Sequence, residues 1–214
     1  MSTTLSSSRT TTRTTLFLPG AGGRRAFWGP AAARLRHAGT PIFFAWPGFG
    51  DAQAEEGIRS LDELYEWFVA RAPAQPCVVV AQSMGGVLAM RFAIEHPERV
   101  SHLVLVATSA GTRRRFGIDW RPGFRAERAE APDWFERDAT ELDARLAEVR
   151  APALLIFSDA DPIAPVAMGE HLLGWMPEGR LVVIQGGTHV FAEERPDEVA
   201  RAIDAFLAPG EKSK

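Results

Sequence analysis

The 214-residue chain has one cysteine and one tyrosine. A single thiol excludes an intrachain disulfide framework, and Cys77, which opens the apolar run Cys77 to Ala81, reads as a small buried hydrophobe rather than a reactive group. Neither sign of charge is in large excess: the formal net charge is −3. No basic field invites nucleic acid or an anionic membrane surface, and neither is expected as a partner. No apolar run approaches the roughly 18 residues of a membrane span. Met1 to Arg13 is rich in Ser and Thr but lacks the apolar stretch of a secretory signal, so it reads as a tail, as does 209–214, and a cytoplasmic location is expected. No cluster of His, Cys or carboxylates has ligand spacing, so neither a metal nor another cofactor is expected.

What is present is a chain with 46% hydrophobic and 24% charged residues, long enough to bury one sizeable core. Short apolar runs bounded by Gly, Pro or Asp recur at Thr14 to Leu18, Ile42 to Trp46, Cys77 to Ala81, His102 to Ala107, Ala153 to Phe157 and Leu181 to Ile184, and read as buried strands. Helical patterns fall between them at Trp28 to His37, Leu61 to Arg71, Met84 to His96, Glu141 to Val149 and Val166 to Met176, with a last from Pro196 to Leu207. This alternation predicts an α/β fold: a doubly wound, mostly parallel six-stranded sheet with helices on both faces, spanning 14–208 as one domain. The rhythm breaks between Thr112 and Ala139, where Arg, Trp, Phe and Pro crowd together like an inserted lid.

Four features carry chemistry. In Ala81-Gln82-Ser83-Met84-Gly85-Gly86 a serine sits on an abrupt strand-to-helix turn among small residues, a variant of the G-x-S-x-G nucleophile elbow with Ala81 in place of the first glycine. By itself Ser83 would read as a helix N-cap; the other elements favour a nucleophile. His189, in Gly186-Gly187-Thr188-His189, follows the last strand and is placed to accept the serine proton and return it. His37, His96, His102 and His171 lie near helix ends, at a strand start or within a helix.

In Ser158-Asp159-Ala160-Asp161-Pro162, after the fifth strand, Asp161 is preferred over Asp159 as the acid that orients the imidazole. Pro162 imposes an extended conformation on Asp161, whereas Asp159 suits a turn. The loop Pro19-Gly20-Ala21-Gly22-Gly23 follows the first strand, and the backbone N–H groups of Ala21 and Met84 are the expected oxyanion donors. The same glycines would suit a phosphate, but the full dinucleotide or P-loop pattern is absent.

The chain order Ser83, Asp161, His189, with a glycine loop upstream, resembles the α/β-hydrolase superfamily. The turn Trp46-Pro47-Gly48-Phe49-Gly50-Asp51 and the Gln82-Ser83-Met84-Gly85-Gly86 stretch are similar to those of small carboxylesterases of the pimeloyl-carrier-protein methyl ester esterase type. The resemblance runs from Leu16 to Leu207 and implies strand order 2-1-3-4-5-6, a catalytic triad of Ser83, His189 and Asp161, and a small-molecule ester as substrate. It departs from the family at Pro19, where relatives often have histidine, and before Leu16, where the usual opening hairpin is missing. The implied fold is a minimal version.

Thr112 to Arg128 carries a local charge of +4 and Ala129 to Glu141 one of −4, a pattern that suits internal pairing. The alternative is a basic surface for an anionic carrier such as an acyl carrier protein or coenzyme A, with Arg113 to Arg115 at its centre. Trp28, Phe116, Trp120 and Trp134, with Phe124 and Phe135, are candidates for the wall of an acyl pocket. These features predict a serine hydrolase that cleaves esters, thioesters or lactones of small to medium acyl groups. The competing readings are a non-catalytic small-molecule sensor on the same fold and a C–C hydrolase or perhydrolase using the same three side chains.

Overall fold

The computed structural model describes residues 13–111 and 115–208; the two expected tails, Arg13 apart, lie outside them. Six strands form one sheet in the order β2-β1-β3-β4-β5-β6. They are β1 (Thr14–Leu18), β2 (Thr40–Phe43), β3 (Cys77–Gln82), β4 (Val100–Val106), β5 (Ala153–Ser158) and β6 (Gly179–Ile184). Every neighbouring pair is parallel. The inner strands β3 and β5 are buried at every residue, while the edge strand β2 is exposed over most of its length. Runs such as Cys77-Val-Val-Val-Ala81 suit the former position, because helices cover both faces of a parallel sheet.

The helices that position the site are α2 (Leu61–Arg71), α3 (Met84–Glu95), α6 (Val166–Leu173) and α8 (Pro196–Leu207), with short α1 (Gly29–Ala32) and α7 (Phe191–Glu194). Sequence punctuation explains several boundaries. Ser60 accepts the Glu63 N–H at 3.1 Å while Glu63 accepts that of Arg59 at 2.6 Å, so reciprocal caps open α2. Pro97 stops the chain beyond α3, and Pro196 opens α8.

Two helices expected from periodicity change. The helix expected over Trp28 to His37 is a 3₁₀ turn at Arg25–Trp28 followed by α1 alone. The buried carboxylate of Asp204 in α8 takes the amides of Arg36 and His37 at 2.9 and 3.0 Å, so these N–H groups are drawn out of a helical ladder. Glu141 to Val149 yields a 3₁₀ segment, Asp143–Glu148, in place of an α-helix. The lid folds two short helices, α4 (Arg121–Glu127) and α5 (Trp134–Arg137), that its irregular composition did not announce.

Because β2 and β3 lie on opposite sides of β1, the strand order reverses there. Open α/β sheets bind ligands outside the carboxyl ends of strands at such a point. The Pro19 loop and Ser83 follow those ends.

Candidate active site

Ser83 joins β3 to α3 with φ 51 and ψ −118, a conformation few non-glycine residues adopt and one that costs on the order of 1–3 kcal/mol. Neighbours hold it there. Its N–H donates to Val106 O at 3.1 Å, and its carbonyl accepts from Gly86 N at 2.9 Å and from the buried Thr108 hydroxyl at 2.6 Å. The glycines after it are a packing requirement: a Cβ on Gly85 would strike the carbonyls of Leu18 and Pro19, and one on Gly86 would strike Thr108. Ala81 is fully buried in β3, so this strand position accepts a methyl group where the motif usually has none.

His189 Nε2 lies 3.0 Å from Ser83 Oγ, and its Nδ1 lies 2.8 Å from Asp161 Oδ2. The carboxylate is an acceptor only, so Nδ1 carries the proton toward Asp161, and Nε2 presents its lone pair to the hydroxyl. Asp161 has no exposed side-chain surface. Its other oxygen accepts from Ile163 N at 2.8 Å and Ala164 N at 3.0 Å, which compensates a buried charge and locks its rotamer. Asp159 serves the turn instead, accepting Gly186 N at 2.6 Å. Ser158 ties the two loops together: its hydroxyl donates to Gly187 O at 2.7 Å and accepts Gly187 N at 2.9 Å.

The loop carrying Ala21 is fixed from behind by two buried indoles. Trp28 Nε1 donates to Leu18 O at 2.9 Å and Trp46 Nε1 to Pro19 O at 2.7 Å, consecutive carbonyls at the end of β1. Gly23 N closes the turn on Gly20 O at 3.0 Å. Met84 is the first residue of α3, where N–H groups have no acceptor within the helix and its dipole favours negative charge.

Ser83, His189 and Ala21 open onto a crevice of about 740 Å³. Phe27, Ile118, Trp120, Phe124, Phe135 and Ile163 supply its apolar wall. Of the aromatic residues picked from sequence as pocket walls, Trp120, Phe124 and Phe135 line it. Trp28, Phe116 and Trp134 do not. Trp28 turns inward to bond Leu18, and the 3₁₀ turn presents Phe27 in its place. Phe116 packs edge-on to His171, and Trp134 edge-on to Phe49. Ile118 and Ile163 carried no chemical signal in the sequence.

Three lid arginines pair with lid carboxylates. Arg125 reaches Glu136 at 2.6 Å and Asp133 at 3.2 Å, Arg128 reaches Glu127 at 2.7 Å, and Arg121 lies 3.6 Å from Asp119. Arg115 stands 3.9 Å from Asp143, while Arg113 and Arg114 lie outside the described residues. Burial pushes the Cys77 thiol up to about 11, which keeps it protonated and inert near neutrality. Among the described residues no group of three or more His, Cys, Asp or Glu side chains is placed to hold a metal ion, and no helix is long and apolar enough to cross a membrane.

The sequence model of the alpha/beta hydrolase family matches residues 15–202. A protein of Azorhizobium caulinodans named for carbamate hydrolysis, RutD, is 24% identical over 229 residues, covering 85% of this chain and 86% of its own length. The pimeloyl-acyl-carrier-protein methyl ester esterase of Serratia marcescens is 25% identical over 209 residues, covering 76% of this chain and 81% of its own. Among solved structures, the enol-lactonase of Burkholderia xenovorans LB400 superposes with a TM-score of 0.73 at 19% identity over 92% of each chain, a likeness of fold.

Proposed function

We propose that this chain, which belongs to the alpha/beta hydrolase family and is a hydrolase, cleaves carboxylic esters through an acyl-enzyme on Ser83. The observation that carries the reading is the unbroken relay from Ser83 Oγ through His189 to Asp161, at 3.0 and 2.8 Å, on the floor of an apolar crevice. In the first half-reaction Ser83 Oγ attacks the ester carbonyl as His189 Nε2 takes its proton. Asp161 stabilises the imidazolium, and the Ala21 and Met84 N–H groups receive the oxyanion. Collapse expels the alcohol, protonated by His189. Water then attacks the acyl-enzyme with the same base, releasing the acid and restoring Ser83.

The carbonyl chemistry extends to thioesters and lactones. The crevice volume suits small to medium acyl groups. A carrier-linked ester is the second reading, favoured by the carrier-bound substrate in the name of the Serratia relative. Against it, Arg121, Arg125 and Arg128 already face lid carboxylates.

The test is turnover of p-nitrophenyl esters from acetate to decanoate by the wild type and by Ser83→Ala. Ser83-dependent hydrolysis that peaks at short or middle chain length is expected. Folded wild type that turns over none of the series, nor a thioester or lactone, would overturn esterase function and favour a sensor on this fold.

A further inference from the structure

Gln82 takes no part in the proton relay, yet its side chain meets both loops that flank Ser83. It ends β3 and is only 4% exposed. Its Nε2–H donates to the backbone carbonyl of His189 at 3.1 Å. Its Oε1 lies against Gly20, where any Cβ would collide with it. One buried carboxamide therefore spans the space between the Ala21 loop and the His189 loop, while its backbone is peptide-bonded to the nucleophile.

Other side chains hold the histidine loop one or two residues earlier. Ser158 binds Gly187, and Glu194 accepts the Thr188 N–H at 3.1 Å and its hydroxyl at 2.7 Å. Gln82 acts on His189 itself. A carboxamide suits both contacts at once, because it offers a donor to one loop and a compact oxygen to the other without charge. A carboxylate in its place would repel the His189 carbonyl and add a second negative charge near the imidazole, favouring the imidazolium. An aliphatic side chain of similar length would remove the donor.

We propose that Gln82 is a positioning residue: by bonding His189 O and abutting Gly20 it fixes the general base and the oxyanion loop at their working separation across Ser83. The proposal rests on the reading of Ser83 as nucleophile. Small errors in such a separation are expensive, because a displacement near 1 Å costs on the order of a hundredfold in rate. Its signature is a loss in kcat with ground-state binding retained.

The experiment compares wild type, Gln82→Met and Gln82→Glu. It measures kcat and KM on a short p-nitrophenyl ester across pH, the rate of fluorophosphonate labelling at Ser83, and the thermal midpoint. Rates are referred to the folded fraction. For Gln82→Met, kcat and the labelling rate are expected to fall roughly ten- to a hundredfold with KM within about twofold. For Gln82→Glu, a similar loss is expected together with an upward displacement of the acid limb of the kcat/KM profile. If both variants lose activity only in proportion to folded protein, or if Gln82→Met keeps kcat within about twofold of wild type, the positioning role is wrong. Wild type that is neither labelled nor active overturns the hydrolase chemistry, and this role with it. When the wild type is labelled at Ser83, a failure of the variants to lose rate counts against Gln82 alone.

Discussion

On the sheet side of the crevice each turn is tied by buried polar partners: Trp28 and Trp46 to the end of β1, Thr108 and Val106 to Ser83, Ser158 to Gly187, and Ile163 and Ala164 to Asp161. On the lid side α4 buries no side chain, and α5 buries only Phe135. What fastens the lid is a set of ion pairs between exposed and partly exposed residues and a cluster of tilted and edge-on aromatic rings around Phe135. Exposed pairs of this kind contribute about 1 kcal/mol or less each. Buried hydrogen bonds that lose one partner cost about 1–3 kcal/mol. On the proposed reading, the difference assigns reaction geometry to the wall tied by buried hydrogen bonds and accommodation of the substrate to the lid, and the two walls should respond differently to substitution.

The largest effect belongs to the sheet edge. Asp161→Asn would leave the packing intact but stabilise the wrong imidazole tautomer, so kcat on a p-nitrophenyl ester should fall about 10⁴-fold, as measured by steady-state kinetics. A loss below about tenfold would show that His189 does not depend on this acid. Next comes Trp46→Phe, which deletes the indole N–H that holds Pro19 O. Denaturant unfolding should show a loss of about 1–3 kcal/mol, and kcat should fall while the preferred acyl length stays put.

On the lid, Phe135→Ala should reverse that pattern. The expected outcome is a changed chain-length profile and raised KM with acetyl-ester kcat nearly unaltered, and a global stability loss below the roughly 3–5 kcal/mol of an aromatic deleted from a closed core. If acetyl-ester kcat fell as far as in Trp46→Phe, the two walls would not be separable. Arg125→Gln, which breaks the contacts to Glu136 and Asp133, should move stability by about 1 kcal/mol or less and leave small-ester turnover alone. The smallest response is expected at Cys77, where a thiol pushed up to about 11 by burial should stay unreactive to an aromatic disulfide reagent at neutral pH until the protein unfolds.

The same contrast governs what the sequence could convey. The strand-helix alternation and the small residues around Ser83 are local rules: Gly85 and Gly86 are glycine because Leu18, Pro19 and Thr108 leave no room for a side chain. Asp161 could be preferred over Asp159 because Pro162 constrains the backbone of its neighbour. What stayed hidden depends on long-range partners. Asp204 takes amides from Arg36 and His37, 168 and 167 residues away, and so shortens a helix whose pattern looked complete. The resulting 3₁₀ turn exchanges Trp28 for Phe27 at the crevice. Phe116 and Trp134 share the lid's composition with Trp120, and only the packing of the folded lid decides which ring lines the crevice. Gln82 carried no sequence signal beyond its place beside the serine, since its partners are a backbone carbonyl 107 residues away and the bare face of Gly20.

The central claim is that Ser83 is a nucleophile activated by His189. Intact-protein mass spectrometry after brief incubation with a fluorophosphonate, followed by peptide mapping, tests it most directly. One phosphonyl adduct per chain, mapped to Ser83 and absent from both Ser83→Ala and His189→Ala, is the predicted result. An unmodified folded wild type, or an adduct on another residue that survives in Ser83→Ala, would contradict it.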